Sequence, residues 1–317
     1  MNQAQLNYLD PSIESSLYRT GQLRIRRDRD GSDSAFEGVV LSRERVTLND
    51  GRRSGGCHLD REGFALRPDP LDDPKLDFLS ADPVIHNYYE TCAERVASEC
   101  GANHVFAFDH NVRSAAGKEA RERLQQGQEI QGPARVVHGD YTLTSAPDRL
   151  RQLAEPPREN DTYARVLSPG ETLVPPTLAL HALNEGRYAF INLWRNIDDS
   201  PVETDPIVLC DARSVTPKDL AVFELHYSDR IGENYFSKPD PGHRWFIFPN
   251  AERDEALFIK QWDSAGPLAR SGGTESDADE PNAPCTFSFH TAYFDPATMT
   301  GGRPRWSIEV RCLAIWD

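Results

Sequence analysis

The chain has 317 residues, 38% of them hydrophobic, which is enough for one large core. Its formal charge of −15 argues against nucleic acid or an anionic membrane as a partner, because both favour basic surfaces. There is no apolar run of membrane-spanning length, Met1–Asp10 does not read as a secretory signal, and the six cysteines form no Cys-x-x-Cys pair, so no membrane span, zinc ribbon or disulfide framework is expected and a cytoplasmic setting is.

Residues 1–80 read as a mixed, polar N-terminal extension packed on the core. Within it, Tyr18–Ile25 and Phe36–Leu48 are expected as short strands, with Asn49-Asp50-Gly51 as a turn signal. From Asp82 to Cys100 the apolar residues Val84, Ile85, Tyr88, Cys92, Val96 and Ala97 recur at helical spacing, and Gly101 is placed to stop the helix. Val105–Phe108 is a short apolar run, and Ala134–Val137 leads into His138. A helix is expected over Ala146–Leu153 with Ser145 as its cap, followed by a loop over 155–171. Tyr188–Trp194, Ile207–Leu209, Arg244–Phe248, Ala256–Trp262, Thr286–Phe294 and Trp306–Ile315 are strand candidates. Residues 264–284, rich in Ser, Gly, Asp and Glu, read as a solvated, mobile loop. An early helix followed by many strands predicts a single, mainly β domain over 1–317, a sandwich or distorted barrel with flanking helices.

Two imidazoles and one carboxylate on one face can hold a metal such as Fe(II) and leave positions open for cosubstrate and oxygen. His138-Gly139-Asp140 suits this, since side chains two apart on a strand share a face and the intervening glycine adds none. The third ligand must come from a distant strand, and His290 lies in an alternating apolar stretch with Phe287 and Phe289. His104, His110, His181, His226 and His243 compete for that position; each also reads as an ordinary structural histidine, as the triplet alone reads as a polar turn. Asp109-His110 chelates poorly as a pair, because adjacent strand residues face opposite ways.

Fifteen positions after His290, Arg305 and Ser307 share a strand face. A guanidinium fork beside a hydroxyl suits the distal carboxylate of a 2-oxo diacid such as 2-oxoglutarate. Arg311 lies on the same face by parity and is the competing anchor; a surface ladder of Arg305, Glu309 and Arg311 is the alternative reading. On the substrate side the candidates are Tyr141, Asn192, Trp194, Arg195 and Arg113. Each has a plain structural counterpart: packing for Tyr141 and Trp194, solvation for Arg113. Trp245, Phe246 and Phe248 read as core, and Lys260 with Asp263 as a paired structural contact.

Seven blocks in order give the chain a family likeness over roughly residues 60–317: His138-Gly139-Asp140-Tyr141-Thr142, Ile191–Ile197, Pro206–Asp211, Gly242–Pro249, Lys260–Ser264, His290–Phe294 and Arg303–Arg311. They resemble the oxidoreductase family that groups a cephalosporin methoxylase component (CmcJ-like) with gibberellin-desaturase-like and AsaB-like hydroxylases. The resemblance implies a double-stranded β-helix (jelly roll, cupin-like). It also implies Fe(II), 2-oxoglutarate and O2 chemistry that hydroxylates or desaturates a small-molecule secondary metabolite. It implies His138, Asp140 and His290 as iron ligands and Arg305, with Ser307 beside it, as the 2-oxoglutarate anchor. Asn196 stands where the family often has proline after the Trp-Arg pair. The alternatives carried forward are an iron enzyme of the same fold that does not use 2-oxoglutarate, and a non-catalytic jelly-roll binding protein. A homodimer is left open, with no sequence feature arguing for it.

Overall fold

The computed structural model describes residues 2–26, 35–53, 55–119, 130–158, 161–228, 230–293 and 301–317. Fourteen strands among them form two sheets. The strands are β1 (Asn2–Leu9), β2 (Arg24–Arg26), β3 (Leu41–Asp50), β4 (Phe64–Pro68), β5 (His104–Arg113), β6 (His138–Gly139), β7 (Arg187–Asn196), β8 (Ile207–Cys210), β9 (Leu220–His226), β10 (Ile231–Ser237), β11 (Trp245–Ile247), β12 (Glu255–Asp263), β13 (His290–Ala292) and β14 (Ser307–Trp316). One sheet has nine strands in the order β1-β3-β11-β8-β13-β6-β10-β9-β2, and the other has five in the order β4-β12-β7-β14-β5.

The two sheets face each other across a shared core. Leu6, Tyr8, Val208 and Trp245 from the larger sheet, with Phe287 and Phe289 leading into β13, pack with Phe190, Trp262 and Leu313 from the smaller one. Trp262 and Phe287 stack across the gap, ring centroids 6.2 Å apart. The outer face of the five-stranded sheet is covered by the helix Tyr89–Cys100 and the π-helical turn Val84–Tyr88 before it. Their Val84, Tyr88, Cys92 and Val96 pack on Ile191, Leu193, Ile308, Val310 and Cys312. Covering both faces makes β7 buried along nearly its whole length, including the polar Asn192, Arg195 and Asn196.

The helix over 82–100 and its stop agree with the sequence: Gly101 adopts the left-handed conformation (φ 71°) and donates its N–H to the Ala97 carbonyl. The helix expected from Ala146 begins at Ser145, which is its first residue rather than a side-chain cap. Instead the Ser145 hydroxyl donates to the Glu233 carbonyl and accepts from the Thr142 N–H. Residues 1–80 do more than pack on the core: β1 and β3 extend the larger sheet, and β4 forms one edge of the smaller. Of the expected strand Tyr18–Ile25, only its end survives, as part of β2. The strand expected over Thr286–Phe294 is confined to His290–Ala292, and Phe294 lies outside the described residues. Among the described residues no helix is long and apolar enough to cross a membrane.

The stretch 264–284 departs most from expectation. It is anchored by the buried Pro267 and Leu268 and by Asp277, whose carboxylate accepts from the Thr286 N–H (2.7 Å) and hydroxyl (2.6 Å). Composition could not reveal this, because the anchors are a few residues within a polar run. Burial pushes the Asp277 carboxyl up to about 6, against the two hydrogen bonds that favour its charge. The folded-state value thus lies above the unfolded one. The group's stabilising contribution is full below about pH 4 and is lost as pH rises through about 6. Asp277→Asn is therefore expected to melt higher than the parent at pH 8, by about 2–3 kcal/mol in stability, and to lose that advantage at pH 4. Paired thermal melts at the two pH values check this.

Candidate metal centre

β6 runs between β13 and β10, and its pairing sets His138 directly opposite His290. The two imidazole centroids are 4.3 Å apart. Asp140 follows immediately after the short strand. Candidate donor atoms of His138, Asp140 and His290 all lie within 4.8 Å of one another, the one such cluster of His, Cys, Asp or Glu among the described residues. Gly139 lets Phe287 pack close beneath: a Cβ there would sit 3.1 Å from the ring, which would have to shift slightly.

The chemistry of this donor set fits a divalent metal. The carbonyl of Val136 can only accept, so the 2.8 Å contact to His138 Nδ1 fixes that nitrogen as the N–H donor and leaves Nε2 with its lone pair. Nε2 faces Asp140 Oδ1 at 3.7 Å. His290 Nδ1 is buried with no hydrogen-bond partner among the described residues. Burial, reinforced by the neighbouring His290, pushes His138 down to about 4, and burial also lowers His290. Burial alone would raise Asp140; the Arg311 guanidinium, the two imidazoles and Asn192 pull it down to about 2. At neutral pH the trio is two neutral imidazoles and one carboxylate, the forms a metal requires.

The inner face of β14 and its neighbours carries the charged residues around this trio. Ser307, Glu309 and Arg311 sit opposite Arg113, Asn111 and Asp109 on β5, and opposite Asn196, Trp194 and Asn192 on β7. Arg311 is a structural hub. Its Nη1 donates to Asp109 Oδ2 (2.7 Å), its Nε lies 3.8 Å from Asp140 Oδ2, and Glu309 is 3.8 Å away. Asn111, with its amide oxygen turned toward the guanidinium, accepts from Arg311 Nη2 at 2.8 Å. Arg305 is differently placed. Its Nη1 donates to the Asp205 carbonyl and its guanidinium lies 5.8 Å from the Trp194 ring centroid. Its Nε, like the hydroxyl of Ser307, is buried with no hydrogen-bond partner among the described residues. Burial lowers the Arg305 guanidinium to about 10. Two buried, unmatched polar groups two residues apart, one just ahead of β14 and one at its first position, are costly unless a ligand completes them.

The substrate-side candidates separate. Asn192 donates to Asp140 Oδ2 at 3.1 Å. Tyr141 is buried and stacks on Phe190, ring centroids 4.2 Å apart. Trp194 packs with Phe64 and Leu257 beneath Arg305. The Arg113 guanidinium donates to the Gly132 carbonyl (3.0 Å), and its charge helps keep His138 and His290 neutral. Arg195 does not belong with them. Strand alternation turns it to the outer face, where it is held by Tyr88 Oη (2.8 Å), Asp69 and the Arg253 carbonyl (2.6 Å). The surface cleft of about 220 Å³ that it lines with Tyr88 and Leu76 is on that side of the sheet. Arg195→Met should cost about 1.5–3 kcal/mol of stability by removing one of the two arginines on the buried Asp69 carboxylate, Arg95 keeping its 2.8 Å contact to the other oxygen, and should leave the metal site unchanged. Chemical denaturation with a parallel metal titration separates the two effects. Asn196, at the family's proline position, shapes its turn by donating to the Ser200 carbonyl (2.8 Å) and accepting from the Asp198 N–H (3.1 Å). His110 turns away from the trio to Tyr89 Oη (2.8 Å), and Lys260 pairs with Asp263 (2.8 Å).

One close participant, Gln261, was not singled out from the sequence. Its Oε1 accepts from the Asp140 N–H at 3.3 Å. The available signal was an amide, next to Lys260, interrupting the apolar residues of Ala256–Trp262. The pairing of β12 with β7 shifts register between Lys260 and Trp262, and that bulge re-aims the side chain inward.

Comparison with known proteins places this site in context. The family described as oxidoreductase/YMDC permease-like domain matches residues 6–315. An uncharacterized protein in the dcmA 3′ region of Methylophilus leisingeri is 41% identical over 197 residues, covering 62% of this chain and 91% of the relative. The alpha-ketoglutarate-dependent dioxygenase phiK of a fungal species is 26% identical over 318 residues, covering 99% of this chain and 96% of the relative. The solved structure of the iron and alpha-ketoglutarate-dependent endoperoxidase NvfI superposes with a TM-score of 0.69 at 19% identity, over 99% of this chain and 98% of that one. That likeness establishes the jelly-roll fold expected from the motif blocks. The chain belongs to the oxidoreductase/YMDC permease-like domain family.

Proposed function

We propose that the protein is an Fe(II)- and 2-oxoglutarate-dependent oxygenase that hydroxylates or desaturates a small-molecule secondary metabolite. The observation that carries this reading is one buried, inward face that combines two neutral imidazoles and a carboxylate with the unmatched Arg305 Nε and Ser307 Oγ. The names of the relatives point the same way. His138 Nε2, Asp140 Oδ1 and a ring nitrogen of His290 would hold the metal. With 2-oxoglutarate and O2, the bound metal supplies the oxidising chemistry that removes hydrogen from an unactivated carbon.

The chain's own residues bind, orient and exclude water. Arg305 and Ser307 receive the distal carboxylate of 2-oxoglutarate, and Trp194 closes the space beneath the guanidinium. Arg311 is spoken for by Asp109 and Asp140, which favours Arg305 as the anchor. Tyr141 and Trp194 serve as apolar walls, and Arg113 meets an acidic group of the substrate. The reading takes residues 1–317 as one oxygenase domain acting in the cytoplasm on a diffusible compound. Succinate release that depends on Fe(II), 2-oxoglutarate and a substrate from a candidate panel tests it. Stoichiometric zinc with no affinity for Fe(II) would overturn it.

A further inference from the structure

We infer that Asn192, assisted by Gln261 and Arg311, is a positioning residue that fixes Asp140 as a one-oxygen metal ligand; the inference rests on the proposed metal site. Asp140 follows β6 in the larger sheet, whereas Asn192, Gln261 and Arg311 reach it from β7, β12 and β14 of the smaller one. The two carboxylate oxygens are treated differently. Oδ2 accepts from Asn192 Nδ2 (3.1 Å) and faces Arg311 Nε (3.8 Å), while Oδ1 is turned toward His138 Nε2 (3.7 Å). Gln261 Oε1 holds the backbone N–H of the same residue (3.3 Å). One oxygen is thus occupied by protein donors and the other is presented to the imidazoles.

The cost of the arrangement supports a role beyond packing. Donation to Asp140 dictates the orientation of the Asn192 amide, and acceptance from Asp140 dictates that of Gln261. The opposite ends, Asn192 Oδ1 and Gln261 Nε2, are left buried with no hydrogen-bond partner among the described residues. Unmatched buried amide atoms destabilise a fold, and Phe190 and Trp194 fill the same-face positions two residues either side of Asn192 without that cost. Gln261 also occupies a bulge, a device that re-aims side chains beside functional sites.

The test uses Co(II) as a spectroscopic probe on the full chain and on Asn192→Leu, a change of similar volume that removes the amide. Co(II) affinity should fall about 10- to 100-fold, as for other partners that orient a metal ligand. The visible Co(II) absorption should change shape as the freed carboxylate turns, and the metal-free melting temperature should change little, because loss of the bond to Asp140 is offset by removal of a buried unmatched acceptor. Affinity within about twofold of the parent with an unchanged spectrum would overturn the inference while leaving the metal site standing. Failure of the parent chain itself to bind Co(II) or Fe(II) would overturn both. If Asn192→Leu does not fold, Gln261→Met decides: an affinity loss of about tenfold supports the inference, and no loss overturns it.

Discussion

His138→Ala is expected to remove Fe(II) binding and turnover together. Loss of a partner that merely orients a ligand costs about 10- to 100-fold in metal affinity, so loss of the ligand itself should exceed about 100-fold. The fold should survive, because among the described residues the ring's one hydrogen bond is to the Val136 carbonyl, just ahead of a two-residue strand. The substitution should also alter acid stability. His138 is pushed down to about 4 by burial and by His290, below the unfolded value of about 6.5. Between those values the unfolded chain binds more protons than the folded one. The contribution is therefore present above about pH 6.5 and lost as pH falls toward 4. Metal-free parent protein should lose stability in that window, and His138→Ala should lose less. Calorimetric Fe(II) titration and melts from pH 7 to pH 4 measure both effects.

The second large effect distinguishes Arg305, just ahead of β14, from Arg311 within it. Arg305→Leu should raise the apparent Kd for 2-oxoglutarate by about 100-fold or more, since charge-assisted hydrogen bonds contribute about 1.5–3 kcal/mol each. Metal affinity should hardly change, because Arg305 donates to the Asp205 carbonyl and to none of the three ligands. The fold should tolerate the change, as burial already disfavours the charge of this guanidinium. Arg311→Leu should behave in the opposite way. It takes from the half-buried Asp109 carboxylate its direct ion-pair partner, leaving the Thr162 hydrogen bond, for about 1.5–3 kcal/mol of stability, and it removes a positive charge facing Asp140. Equilibrium titration of 2-oxoglutarate and denaturant melts on the two variants separate anchor from hub.

Local pattern made part of this legible in the sequence. The helix ending at Gly101 and the strands β7, β12 and β14 follow from spacing and from apolar runs. His138 and Asp140 follow from two-residue periodicity, although the strand itself is only His138–Gly139. The pairing of His138 with His290 is a cross-strand register over more than a hundred residues, which spacing cannot give. β9 and β10 passed unread because buried polar residues, Glu224 and Glu233 among them, interrupt their apolar pattern. β1 carried a readable alternation in Ala4, Leu6 and Tyr8, all buried, and was absorbed into the polar N-terminal reading. Arg195 was grouped with Asn192 and Trp194 by proximity in the chain, yet odd and even positions of β7 face different layers. Gln261 escaped because a bulge breaks the parity on which such readings rest.

The central claim is that one inward face holds both the metal and 2-oxoglutarate. Its most direct test is the difference absorption spectrum on anaerobic addition of Fe(II) and 2-oxoglutarate. A weak visible charge-transfer band is expected in the parent, lost in His138→Ala and requiring far more 2-oxoglutarate in Arg305→Leu. Iron demonstrably bound to the parent chain with no such band at saturating 2-oxoglutarate would contradict the account.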